Sequence, residues 1–161
     1  IGKSLVEEDL IPEALKIIEQ AKKLGVKLYL PVDVVAAETF SAEAIAKIVT
    51  IQEIPKDWMG LDIGPASALL FSEAIADANT ILWNGPMGVF ELPRFAEGTY
   101  GVAKAVANSK AISIIGGGDS VAAINQSGLS DKITHISTGG GASLEMLEGL
   151  ELPGVALLSE K

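Results

Sequence analysis

Asp119 follows three glycines, Gly116-Gly117-Gly118, and precedes Ser120. A carboxylate in that position would repel a bare phosphate. It could instead hold a Mg²⁺ whose other ligands are phosphate oxygens. The same position also suits an N-cap for a following helix. A second triplet, Gly139-Gly140-Gly141, lies between Ser137-Thr138 and Ala142-Ser143. A third turn reads Asn84-Gly85-Pro86-Met87-Gly88, with Val89 and Glu91 behind it. Glycine lets backbone N–H groups approach an anion closely, and a helix N-terminus adds a favourable dipole. Runs of glycine cost conformational entropy, a cost easiest to understand where amides must face a ligand. The Glu91 carboxylate could accept hydrogen bonds from ribose hydroxyls. Three such cradles point to a phosphate-rich ligand. The loops 84–91, 116–121 and 137–143 hold no Lys or Arg, so a nucleoside triphosphate would need cations from elsewhere.

The elements around these turns follow from periodicity. Each turn comes after a β-branched apolar run, at 80–83, 111–115 and 133–136. Helices are expected at 95–108, 119–127 and 142–148. Upstream, Leu10, Ala14, Ile17, Ile18 and Ala21 recur at helical spacing within 4–24, and Pro12 places the regular helix mostly after it. Strands are expected at 26–30 and 59–63, and extended runs at 32–36 and 48–54. A helix is expected at about 66–78, and Ser41 could cap a short one at 42–47. Residues 152–158 read as irregular or extended. This alternation predicts an α/β fold with a mostly parallel sheet. In such a sheet all three glycine turns emerge at the carboxyl ends of the strands, where α/β proteins bind ligands.

Other motifs carry less. Gly2-Lys3-Ser4 resembles the end of a P-loop, but Glu7, Glu8, Asp9 and Pro12 follow it, so it reads as a chance tripeptide. The pattern G-x-G-x-x-G fails at both triplets, because its sixth position falls on Val121 or Leu144. Ser120 with His135 could suggest a hydrolase, but no acid partner or oxyanion donor is evident.

At 161 residues, 48% of them hydrophobic, the chain is one well-cored domain or part of one. Its net charge of −9 and lack of a basic run argue against nucleic acid as a partner. No apolar run is long enough for a bilayer, so no membrane partner is expected. There is no cysteine, which fits a reducing compartment.

The segments 83–91, 116–120 and 137–145 together resemble the C-terminal, nucleotide-binding domain of phosphoglycerate kinases. So do Trp58-Met59-Gly60-Leu61-Asp62-Ile63-Gly64-Pro65 and Leu152-Pro153-Gly154-Val155. The resemblance implies a Rossmann-like, three-layer αβα fold, incomplete at its N-terminal side. Residues 1–161 would form part of one domain, with the N-terminal, 3-phosphoglycerate-binding domain absent. It implies reversible phosphoryl transfer from 1,3-bisphosphoglycerate to MgADP, giving 3-phosphoglycerate and MgATP, in a cytoplasmic glycolytic enzyme that works as a monomer. By motif, Gly60 would lie against the adenine. Asn84, Gly85, Pro86 and Val89 would line the nucleoside, with Glu91 on the ribose. Gly117, Gly118 and Ser120 would approach the phosphates, and Asp119 would hold Mg²⁺. Gly139, Gly140 and Gly141 would present amides to the transferring phosphoryl group. The alternative is a non-catalytic nucleotide-binding fragment.

Overall fold

The computed structural model describes residues 1–137 and 139–158. Thr138 of the second triplet motif and residues 159–161 lie outside the described residues. The chain opens with a 3₁₀ turn at Glu8–Leu10 and the helix α1 (Ile11–Leu24), which Gly25 ends in the left-handed conformation, φ 69°. Three strands follow: β1 (Asp33–Ala37), β2 (Ala46–Thr50) and β3 (Met59–Ile63). They form an antiparallel sheet in the order β2-β1-β3, with β1 opposite β2 from Asp33↔Thr50 to Ala37↔Ala46.

The second half alternates strand and helix: α2 (Pro65–Ala76), β4 (Thr80–Asn84), α3 (Glu97–Asn108), β5 (Ile112–Gly116), α4 (Gly118–Ser127), β6 (His135–Ile136) and α5 (Gly140–Leu147). A short α6 (Pro153–Ala156) closes the described chain. Strands β4, β5 and β6 form a parallel sheet in that order. The main core joins Trp83 and Ile115 of this sheet to Val102, Ala103 and Val106 of α3 and Ile124 of α4, with Phe71 and Ile75 of α2 beside it. A second cluster packs Ala37, Ala44 and Leu61 of the antiparallel region against Phe95.

The α/β class and the parallel βα succession match the periodicity. Four local expectations change. Residues 26–30 join no sheet, and Val26, Leu28, Tyr29 and Leu30 are exposed; a strand needs a partner edge, and these residues have none here. No helix forms at 42–47. Ser41 Oγ accepts the Glu43 amide at 3.2 Å and donates to Glu43 Oε2 at 2.8 Å, making a turn, and pairing with β1 takes the chain from Ala46 onward. The extended run at 48–54 ends at Thr50. A helical turn at Pro153–Ala156 replaces the irregular run at 152–158. The antiparallel sheet itself was not foreseen. The connection 38–45 contains no crossover helix, so β2 turns back antiparallel beside β1, and 51–58 carries the chain across to the other edge of β1, where β3 pairs antiparallel as well.

Candidate functional site

Because β4, β5 and β6 are parallel, their glycine turns leave the sheet at one edge. There they interlock. Gly117 has φ +88°, and a Cβ on it would lie 2.2 Å from Asn84 Oδ1. A Cβ on Gly140 would lie 2.2 Å from the Gly117 nitrogen. Only glycine permits these approaches, so part of the glycine signal reflects loop-to-loop packing. Gly85, at φ +98°, donates its amide to Ser120 Oγ at 2.5 Å and accepts Trp83 Nε1–H at 2.6 Å. The structure thus brings Asn84, Gly85, Gly117, Ser120 and Gly140 together. Ser120 is fully buried, whereas Asn84, Gly118, Asp119, Gly139 and Gly141 are exposed.

Asp119 stands in the first turn of α4, where the helix dipole favours a negative charge. The N-cap is Gly117 and has no side-chain cap bond, so Asp119 does not cap the helix. Its carboxylate is exposed at the rim and available to a cation. Among the described residues, no three acidic or histidine side chains converge on a metal position. A Mg²⁺ at Asp119 would therefore take most of its oxygen ligands from phosphate and water, a usual arrangement for this ion.

A cleft of about 580 Å³ lies beside the rim, between β3 and the third turn. Gly60, Leu61, Asp62, Met87 and Gly88 line it, together with Ser4 and Leu30. Val89, Pro86 and Glu91 are not among its lining residues; Glu91 is exposed. The early tripeptide has a structural use here. Ser4 Oγ accepts the Gly60 amide at 2.9 Å, and Lys3 donates its amide to the Trp58 carbonyl at 2.7 Å.

Sequence reasoning overlooked two buried carboxylates and a threonine. Asp62 is 4% exposed and accepts the Gly98 amide at 2.8 Å and the Ile63 amide at 2.9 Å. Burial pushes its carboxyl up to about 6 against the pull of these two amides, and the charge of Glu97 adds to the rise. Asp33 accepts the Ala66 amide at 3.0 Å, the Ser67 amide at 2.7 Å and the Ser67 hydroxyl at 2.6 Å. Burial alone would raise its carboxyl, but the bonds from Ser67 and Ala66 outweigh that and hold it below the ordinary value. Asp33 thus caps α2 from a neighbouring strand. The one sequence signal for either was a charged residue inside an apolar strand. Thr99, fully buried in α3, left no signal.

The Ser120–His135 pairing finds no support, because Ser120 Oγ holds Gly85 and His135 is exposed with no bond to it.

The sequence profile of the phosphoglycerate kinases matches residues 1–150. The phosphoglycerate kinase of Aliarcobacter butzleri is 70% identical over 98% of this chain, and that of Nautilia profundicola 58% identical over all 161 residues of this chain. The chain spans 40% of the length of each. The solved phosphoglycerate kinase of Coxiella burnetii superposes with a TM-score of 0.93 at 43% identity, over 97% of this chain and 40% of that one. That of Pyrococcus horikoshii gives 0.70 at 35%, over 92% and 38%. Sequence and backbone agree over nearly the same residues, and the chain belongs to the phosphoglycerate kinase family.

Proposed function

We propose that this chain is the nucleotide-binding part of a phosphoglycerate kinase, which passes a phosphoryl group between 1,3-bisphosphoglycerate and MgADP to give 3-phosphoglycerate and MgATP. The observation that carries the reading is the shared rim: three interlocked glycine turns at one sheet edge, with the exposed Asp119 carboxylate among them. The nucleoside would occupy the cleft beside Gly60, with Asn84, Gly85, Pro86 and Val89 on its flank and Glu91 reaching the ribose. Gly117 and Gly118 would offer amides to the phosphates. Ser120 would act from beneath, through its bond to Gly85. Gly139, Gly140 and Gly141 would present backbone amides to the transferring phosphoryl group. Asp119 would hold Mg²⁺, which when bound supplies charge neutralisation for the phosphates. Chemistry of this kind asks the protein for position and electrostatics rather than a nucleophile, which suits loops of glycine.

Residues 1–161 are read as part of a C-terminal domain, and 3-phosphoglycerate would be held by a separate N-terminal domain of a cytoplasmic, monomeric enzyme. The second reading, a non-catalytic nucleotide-binding fragment, draws on the absence of Lys and Arg from the three loops. Transfer from ATP to 3-phosphoglycerate should be assayed with the full-length protein and with this chain alone. The full-length protein should turn over, and Asp119→Ala should reduce turnover by at least about a hundredfold with the melting temperature unchanged. Near-normal turnover in that variant would remove Asp119 from the site. A full-length protein without transfer activity would leave the binding reading in its place.

A further inference from the structure

The turn that faces the cleft is held from beneath by a residue outside every motif above. Thr99 lies in the first turn of α3 and is fully buried. A helical threonine commonly bonds back to a carbonyl of its own helix. Here Thr99 Oγ1 accepts two amides of the turn instead, Met87 N at 3.0 Å and Gly88 N at 3.3 Å. On one side the turn is tied through Gly85 N to Ser120, and on the other through Val89 N to the Leu61 carbonyl at 2.8 Å. Thr99 holds the stretch between those ties, and Met87 and Gly88 are the residues of it that line the cleft. Asp62 closes the arrangement. A Cβ on Gly88 would lie 2.2 Å from Asp62 Oδ1, and one on Gly98 would lie 2.3 Å from it. Strand β3, the turn and the start of α3 therefore meet with no room for a side chain at Gly88 or Gly98, and the two turn amides share the Thr99 hydroxyl oxygen as acceptor.

We propose that Thr99 is a positioning residue for nucleotide: its hydroxyl oxygen sets the shape of the 85–89 turn and, through it, the wall of the nucleoside cleft. The inference rests on the nucleotide reading given above. Thr99 touches no reacting atom, so its removal should weaken ground-state binding and leave the chemical step alone. Thr99→Val keeps the shape and removes the acceptor. Thr99→Ser keeps the acceptor.

The test uses the full-length protein with ATP and ADP as probes, measured by titration calorimetry and by hydrogen exchange of backbone amides. In Thr99→Val, the Met87 and Gly88 amides should lose protection while those of Val102 to Val106 keep theirs. Affinity for both nucleotides should fall about tenfold, with a matching rise in nucleotide KM and kcat within about twofold. Thr99→Ser should restore protection and affinity together. Wild-type affinity in Thr99→Val would overturn the proposal while the nucleotide reading stands. So would a Thr99→Val protein that loses protection throughout α3, since Thr99 would then serve the fold alone. A wild-type protein that binds neither nucleotide would overturn the proposal and the nucleotide reading together, which the first case separates from failure of the proposal alone.

Discussion

Helices α1 and α3 show the same kind of apolar periodicity and meet opposite fates. In α3, Val102, Ala103 and Val106 are buried against Trp83, Ile115 and Ile124. In α1 no residue is buried; Leu15, Ile17 and Ile18 remain 58%, 52% and 42% exposed. The residues after α1, 26–30, continue the contrast, since their apolar side chains face solvent without a sheet. An amphipathic pattern states that a face is suited to burial, and cannot state what will cover it. The relatives of this chain are about two and a half times as long, the chain covering 40% of them. The core beneath the glycine rim draws its residues from 63–136, whereas α1 buries none of its own.

The contrast predicts where substitutions will hurt. Ile124 is fully buried between α4 and the parallel sheet. Ile124→Ala should cost about 2–5 kcal/mol in chemical unfolding, through lost burial and the cavity left behind. A loss no larger than that of an exposed site would mean that the parallel half is not the packed unit described here.

Asp33 tests the junction between the halves. Asp33→Ala removes the cap of α2 and leaves the buried Ser67 hydroxyl with fewer partners. A cost of about 1–3 kcal/mol is expected from unfolding curves at neutral pH. Since its folded pKa is lowered, the carboxylate's contribution is present above the ordinary value of 3.8 and fades as pH falls through the folded pKa. The gap between wild type and Asp33→Ala should therefore narrow in strong acid.

Asp62 should show the opposite sign. Its folded pKa of about 6 lies above the ordinary 3.8. The folded state binds the proton more tightly, so the stabilisation is full below about pH 4 and disappears as pH rises through 6. Relative to Asp62→Asn, the wild-type melting temperature should climb between pH 7 and pH 5. A flat difference across that interval would show that the carboxylate is better solvated than its burial implies.

The smallest effect belongs to α1. Ile18→Ser on the exposed face should change the stability of this chain by no more than about 0.5 kcal/mol. In a full-length protein the same change should cost several times more if added chain covers α1. Equal, small effects in both would show that this face stays open in the longer protein as well.

The sequence by itself determined the local events. Glycine permits conformations that few other residues adopt, so the turns at Gly85 and Gly117 and the helix stop at Gly25 could be placed without coordinates. Periodicity located α2, α3 and α4 because apolar spacing is a property of neighbours in the chain. Partnership was decided only in three dimensions. The pairing of β1 with β2 and β3, the failure of 26–30 to form a strand and the absent helix at 42–47 depend on which edges meet. The same holds in the candidate site. Asp119 stood out as a candidate from its place after three glycines, whereas Thr99 takes its bonds from the Met87 and Gly88 amides, 12 and 11 residues away, and Asp62 one of its bonds from the Gly98 amide, 36 residues away. A hydrogen bond across that separation leaves no periodic trace, because it is set by how the elements pack and not by the order of residues within any one of them.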